Sequence, residues 1–380
     1  MIALLLLVAC GHELALAVAA PDTTGCTTDK LGDGGELFDV GALHEVRITL
    51  SDASLAAIEG DPRTYALGAV EVDGNALETV GVRLKGSTSF QELDGKPSFK
   101  VKFNEYCAGQ KLAGLKRLTL NNMVSDPTQS QEMLNYQLWA AAGLKAPRAS
   151  YAQVWLNGEL YGLYTNVESM DDEWVRRRYA DGSGDLWEAG SGAEFSAEGL
   201  DAWDLKEGDG DRDALQAVAE ALDAPGAVFD NLDGVVGMDQ FLTYWAWKVV
   251  VGDPDGYPWH PNDIFLYADP AQGGRFEFSP WGFDEAWKDY VDWQDADGRL
   301  ATACLADAAC SARFHARVVT AVDTFETLDA VGWLEAAWAL SAPVLGDDAR
   351  RPYTEAEVEA AREALRTTVE GRAARVRDDL

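Results

Sequence analysis

Apolar and polar positions along the chain fall into two regimes that meet near residue 170. Before that point the dominant period is two. "HEVRITL" (44–50) alternates and predicts a strand. "SDASLAAIEGD" carries a serine cap and helical spacing and predicts a short helix. "GAVEVDGNALETVGVRLKG" predicts two strands joined by a turn at Asp73-Gly74-Asn75. "SFKVKF" (98–103) and "LKRLTL" (115–120) predict two more strands. "PTQSQEMLNYQLWAAAG" (127–143) predicts an amphipathic helix ending at a glycine. "YAQVWLNGELYGLYTNVE" (151–168) predicts a hairpin that turns at Asn157-Gly158. Together these segments predict a sheet with one inserted helix.

After residue 170 helical spacing takes over, in "DDEWVRRRYA", "DRDALQAVAEALD", "MDQFLTYWAWKVVVG" and "TEAEVEAAREALRTTVEGRAARVRDDL". One strand pair, "DIFLYAD" and "RFEFSP" (263–280), interrupts the helices. The last helix is polar on most faces and is expected at the surface. The fold class is therefore α+β. A β-rich N-lobe spans 44–168, a hairpin crosses between lobes, and an α-rich C-lobe spans 169–380. A cleft between two such lobes is the usual place for a ligand.

The N-terminus reads as an export signal over 1–20, followed by a Gly-, Asp- and Thr-rich tether over 21–43. Its apolar run ends in Leu7-Val8-Ala9-Cys10, which resembles a bacterial lipobox with Cys10 as the lipidated residue. Cleavage near Ala20 is the alternative. The run is too short to span a bilayer, so membrane attachment is expected only through a lipid at Cys10. Setting Cys10 aside leaves Cys26, Cys107, Cys304 and Cys310, an even number that suits an exported protein. Cys304 and Cys310 bracket "LADAA" and close a small loop if paired. Cys26 and Cys107 then pair and tie the N-terminal segment to the body. Two other pairings are also open.

Charge narrows the function classes. The 380 residues include 64 acids against 31 Lys and Arg, a formal charge of −33. Such a surface repels phosphate backbones and anionic lipid heads, which argues against a nucleic-acid partner. A nucleotide is still feasible where the few basic residues gather around a cation. With only four histidines (His12, His44, His260 and His315) and no GxSxG, HExxH or GxxxxGK[ST], hydrolase and P-loop chemistries lack their parts.

An ordered set of residues remains. "RLKGSTSF" (83–90) is a strand entering a Gly- and Ser-rich turn, a shape that offers N–H groups and hydroxyls to phosphate, with Arg83, Lys85 and Ser87 as candidates. "KPSFKVKF" puts Lys100 and Lys102 on one strand face. Glu132 follows on a helix. Asp253 and Asp255 end an apolar helix in "VVVGDPDGY", Asn262 enters the next strand, and Asp284 follows the strand after that. Lysine, helix glutamate, loop acid, asparagine and a last acid come in the order of parts of a protein-kinase-type phosphoryl transferase. A separate run, "DGDRDALQAVAE", puts Asp209, Asp211, Asp213 and Glu220 at calcium-loop spacing. Ala214 stands there where the loop needs glycine, and the segment also reads as an acidic helix start.

The combination "VRLKGSTSF…KPSFKVKF…LTLNN…QEMLNYQLWAAAGLKAPRASYAQVWLNGELYGLYTNVESMDDEW…MDQFLTYWAWKVVVGDPDGY…FLY…SPWGFDEAW" resembles the spore coat protein H (CotH) kinase family over roughly 45–375. The resemblance implies an atypical protein-kinase-like two-lobed fold. It also implies a secreted or surface kinase that uses ATP and Mg²⁺ or Mn²⁺ on Ser or Thr hydroxyls of a protein. The acidic surface favours a basic acceptor. By resemblance, Lys100 is the kinase-type lysine with Lys102 next, Glu132 its helix partner, and the backbone near Glu168 the place that meets adenine. Asp255 is the catalytic base, with Asp253 as second choice, and Asn262 and Asp284 are metal-side residues. Asn262 stands seven residues after Asp255, a longer interval than the family pattern.

The other departure is sharper. The family reads Pro-Trp-Asp-x-Asp, and this chain reads Pro280-Trp281-Gly282-Phe283-Asp284. Losing one carboxylate matters, because Mg²⁺ in such sites is held by one or two carboxylates plus phosphates. Gly282 therefore motivates the alternative of a pseudokinase that acts as a surface binding or structural protein. A calcium-stabilised adhesion protein is the third reading.

Overall fold

The computed structural model describes Cys26 and residues 32–380. The expected export signal, Cys10, His12 and the remainder of the tether lie outside the described residues.

The first half is built from β1 (Leu43–Leu50), α1 (Asp52–Gly60), β2 (Ala66–Val72), β3 (Asn75–Lys85), β4 (Ser98–Lys102), β5 (Arg117–Asn121), α2 (Gln131–Ala141), β6 (Ala149–Leu156) and β7 (Glu159–Val167). The strands do not lie in an open sheet. They close into a barrel in the order β1-β2-β3-β4-β5-β7-β6, because β1 and β6 pair in parallel and seal the edges. Val46, Ile48, Val82, Leu84, Phe99, Val101, Leu118 and Leu120 fill it. Each such buried side chain contributes about 1.5–3 kcal/mol. Ser51 caps α1 by accepting from the Ser54 amide at 3.1 Å, as the sequence pattern predicts.

Two differences from expectation have local causes. Helix α2 begins at Gln131, because Asp126 holds the preceding turn: its Oδ2 accepts from the Ser130 and Gln131 amides at 2.8 and 2.9 Å. Part of the expected tether is docked. A turn of 3₁₀ helix over Gly35–Phe38 buries Leu37 and Phe38, and the Leu37 carbonyl accepts from Ser150 Oγ at 2.8 Å.

The second half contains α3 (Asp172–Arg178), β8 (Leu186–Ala189), β9 (Trp203–Glu207), α4 (Asp213–Asp223), α5 (Val228–Leu232), α6 (Met238–Val251), β10 (Ile264–Asp269), β11 (Arg275–Pro280), α7 (Arg299–Ala306), α8 (Ala308–Glu326), α9 (Ala330–Asp347) and α10 (Glu355–Asp378). The strand pair predicted at 263–280 is β10 and β11. It gains β8 and β9 to make a four-stranded sheet ordered β11-β10-β8-β9. Helix α6 is enclosed on nearly all sides; Trp245 stacks on Phe314 of α8 with centroids 3.7 Å apart. The molecule is thus α+β, with a β-rich N-terminal part and a helical C-terminal part.

Disulfides join Cys26 to Cys107 and Cys304 to Cys310, the pairing favoured by spacing and characteristic of oxidising compartments. Among the described residues, no helix is long and apolar enough to cross a membrane. The calcium-like run folds as a helix start, with Asp211 Oδ1 accepting from the Asp213 amide at 3.0 Å.

Candidate active site

The barrel strands β3, β4 and β5 present one face to the core and the other outward. Register places Arg83 opposite Lys100, Lys85 opposite Ser98, and Lys102 opposite Arg117. Alternation then puts Arg83, Lys85, Lys100, Lys102 and Arg117 on a single outward face. In a chain of net charge −33 this is a concentrated basic strip. Burial first, then the charges of Arg117, Lys85 and Arg83, push Lys100 down to about 7.

One end of that strip opens into a cavity of about 370 Å³. Its barrel side is Lys85, the Gly86–Ser89 turn, Ser98 and Asn121, together with Glu132 from α2. Its far wall is Glu188, Asp255, Asn262, Asp263, Trp281, Gly282 and Asp284. Gly86 adopts φ +110°, a conformation that turns β3 sharply into the Ser87–Ser89 segment and that side chains disfavour.

Lys85 and Glu132 are joined through Asn121. Lys85 Nζ donates to Asn121 Oδ1 at 2.5 Å, and Asn121 Nδ2 donates to both carboxylate oxygens of Glu132, at 2.9 and 3.0 Å. Burial drives Lys85 below its ordinary range. Burial, then the Asp284 charge, pushes Glu132 up to about 7.

On the far wall, α6 ends at Gly252 and leads into the loop with Asp253 and Asp255. Asp253 is fully buried behind the cavity. Its Oδ2 receives Lys248 Nζ at 2.5 Å and its Oδ1 receives the Asp255 amide at 3.0 Å. Lys248 Nζ also donates to the Asp255 carbonyl at 2.7 Å. Lys248 and Asp253 therefore shape the loop, and Asp255 is the acid of the two that reaches the cavity. Phe283 packs edge-on to Tyr136 at 5.0 Å and anchors the segment that presents Asp284. Burial raises the pKa of Asp284, and burial with the Asp255 charge raises that of Asp263 strongly.

The structure thus brings together Lys85, Ser87, Glu132, Asp255, Asn262 and Asp284. It sets other candidates apart. Lys100 and Arg83 lie along the basic strip outside the cavity lining, and Lys102 is paired with Glu105 at 2.6 Å. Glu168 is not at the cavity: its buried carboxylate receives Arg148, Arg177 and Arg178 at 2.7, 2.6 and 2.5 Å. Its amide donates to the Arg148 carbonyl at 2.8 Å. The crossing after β7 instead meets the basic strip at Ser169, 2.7 Å from Thr119 Oγ1.

Asn121, Glu188 and Asp263 are cavity residues that the sequence reading does not single out. Asn121 lies in the quoted "LTLNN" and Asp263 directly follows Asn262, so both were within sight. Glu188 sits on β8, whose short strand carries no clear periodic signal.

The residues fit a divalent cation. Carboxylates and an amide oxygen are the hard donors that Mg²⁺ and Mn²⁺ take. Asn262 Oδ1 is buried with no donor. Among the described residues, Lys85 is the one lysine or arginine on the cavity lining. Among the described residues, no three His, Cys, Asp or Glu side chains stand at ready ligand spacing. The arrangement suits a cation shared with phosphate oxygens more than one caged by protein.

The charge imbalance has a measurable result. Without a cation, the raised pKa of Glu132 contributes stability that is full below its unfolded value of 4.5 and is lost as pH rises through about 7. Denaturant titrations at pH 5 and pH 8 are expected to show a loss on the order of 3 kcal/mol that Glu132→Gln removes. An unchanged slope in that variant would rule Glu132 out as the source.

A family model described as CotH kinase protein matches residues 82–375. The inner spore coat protein H of Bacillus subtilis (strain 168) is 26% identical over 206 residues, covering 50% of this chain and 55% of that protein. Invasin CotH3 of Rhizopus delemar is 21% identical over 183 residues, covering 43% of this chain and 30% of that protein. The matches therefore span about half of one curated relative and under a third of the other.

Proposed function

Because the chain belongs to the CotH kinase family, we propose that it is a protein kinase moving the γ-phosphoryl of ATP to a Ser or Thr hydroxyl of a protein outside the cytoplasm. The barrel serves as the N-lobe of a kinase-like fold and the helical part as the C-lobe. The observation that carries this reading is the cavity in which the Lys85–Asn121–Glu132 chain faces Asp255, Asn262 and Asp284.

In this reading Lys85, not Lys100, is the lysine linked to the helix glutamate, and it binds phosphate oxygens. The Gly86–Ser89 turn covers the phosphates. Lys100 and Arg83 extend the positive field along the strip toward Ser169, where the base lies. Asp284 and Asn262 would hold Mg²⁺ or Mn²⁺, which supplies charge neutralisation for the phosphates. Asp255 takes the proton from the acceptor hydroxyl as its oxygen bonds to the γ-phosphorus and the bond to the β–γ bridging oxygen breaks, releasing ADP. The acid-rich surface steers basic acceptors to the site.

The test is transfer of labelled phosphate from ATP with Mn²⁺ or Mg²⁺, using the protein itself and a panel of acidic and basic peptides, beside a thermal shift with ATP and cation. Transfer with preference for basic peptides is expected. Preference for acidic peptides removes the steering argument. A cation-dependent shift without transfer favours the pseudokinase reading that Gly282 motivates. Neither shift nor transfer removes the nucleotide from the account.

A further inference from the structure

The far wall of the cavity is made where β10 enters it through Asn262 and Asp263 and where β11 leaves it through Trp281 and Gly282. The two segments are coupled. Ile264 pairs with Pro280, and the Trp281 amide donates to the Asp263 carbonyl at 3.0 Å. Gly282 has φ +61° and Asp263 φ +44°, both in the left-handed region. That region is uncommon for side-chain-bearing residues, and aspartate is among the few that enter it readily. A Cβ built on Gly282 meets Asp263 Oδ2 at 2.8 Å and Cγ at 3.1 Å. The Asp263 carboxylate therefore fills the space where a side chain at 282 starts, and the two exclude each other in this conformation.

Asp263 also differs from the structural acids of this protein. Asp253 has Lys248, Asp348 has Lys96, Glu168 has three arginines, and Asp126 has a ring of amides and a hydroxyl. Among the described residues no hydrogen-bond donor or ion-pair partner is found for the Asp263 carboxylate. Its charged neighbours are Asp255, Asp284 and Asp253, and Lys248 among them is already engaged by Asp253. Two further polar groups there want a partner. Asn262 Oδ1 is buried and unpaired at the cavity wall. Tyr244 Oη is wholly buried and unpaired, in the field of Asp253, Asp263 and Asp255.

We infer that Asp263 is a cation-holding carboxylate of this site, delivered from β10 into the space that glycine at 282 leaves open, beside Asp284 and Asn262. The inference rests on the kinase reading. It turns Gly282 from a lost acid into the condition that lets Asp263 occupy its place, and it keeps two carboxylates on the cation side of the cavity, within the number Mg²⁺ takes in phosphate sites.

Mn²⁺ uptake, followed by the loss of the free-ion electron paramagnetic resonance signal with and without ATP, tests this on the full chain, Asp263→Asn and Asp263→Gly/Gly282→Asp, the glycine at 263 clearing the space that a side chain at 282 needs. With ATP present, Asp263→Asn is expected to weaken Mn²⁺ binding at least about tenfold. It should also raise the melting temperature of the cation-free protein, because one like charge leaves the group. The double variant, which returns a carboxylate from β11, is expected to regain most of the affinity. Wild-type Mn²⁺ affinity in Asp263→Asn overturns the inference alone, as does a lower cation-free melting temperature, which marks a structural acid. A wild-type protein that takes up no Mn²⁺ with ATP overturns the kinase reading and this inference together.

Discussion

Asp255→Asn is expected to lower phosphoryl transfer about 10²–10⁴-fold, the usual contribution of a positioned general base, while the protein stays folded and still responds to ATP and cation. The geometry separates these effects. The Asp255 amide and carbonyl hold the loop, through Asp253 Oδ1 at 3.0 Å and Lys248 Nζ at 2.7 Å, and asparagine keeps both. The side chain is left for the cavity. Removing its charge also relieves Asp263, whose pKa is raised by burial first and by Asp255 next. The melting temperature without cation should therefore hold or rise. Asp253→Asn offers the contrast: it strips the charge from the partner of buried Lys248, and it should cost stability. Transfer rates of Asp255→Asn within a few-fold of the parent would eliminate it as the base. Loss of the ATP- and cation-dependent thermal shift would move Asp255 to the cation side instead.

The parts of this site differ in how legible they were. Segments with a clean period were readable: β1, the β6–β7 hairpin with its Asn157-Gly158 turn, α6, and the β10–β11 pair. Each is set by local alternation or helical spacing, which the chain carries on its face. The closed barrel was not readable, because it depends on the parallel pairing of β1 with β6, about a hundred residues apart, and no local pattern announces that contact. Strands β8 and β9 are illegible for a related reason: they are short, and tertiary pairing defines them, β8 on β10 and β9 on β8. The site shows the same division. The order of a lysine, a helix glutamate and three acids was visible along the chain. Which lysine serves the glutamate was not, since Asn121 bridges Lys85 to Glu132 from a third strand. The meaning of Gly282 was also hidden, because the carboxylate that fills its space comes from a residue nineteen positions earlier, just before a neighbouring strand begins.

Lys96→Met is expected to produce the largest loss of stability of any single change considered, about 3–5 kcal/mol, the cost of leaving one partner of a buried ion pair alone. Lys96 lies between β3 and β4, and its Nζ meets Asp348 Oδ2 at 2.5 Å with both side chains shut off from solvent. Asp348 follows α9, so this pair clamps the barrel to the helical part. The carboxylate has other duties there: Oδ2 accepts from the Leu163 amide on β7 at 3.1 Å, and Oδ1 accepts from the Arg350 amide at 3.1 Å. Two amides do not replace an ammonium group, and the carboxylate cannot turn to water while α9 stays docked. Asp348→Asn on the Lys96→Met background removes the stranded charge and keeps an acceptor for one of the two amides, so it should recover part of the loss. The effect also reaches the cavity. Asn122 Nδ2 donates to the Lys96 carbonyl at 2.6 Å and to the Ser89 carbonyl at 3.0 Å, which ties the clamp to the Gly86–Ser89 turn. Under conditions where Lys96→Met is folded, KM for ATP should rise more than kcat falls. Chemical denaturation reads the first effect and steady-state kinetics the second. A stability change below about 1 kcal/mol would mean that Asp348 finds solvent or a proton instead, and the clamp would then be no more than a surface pair.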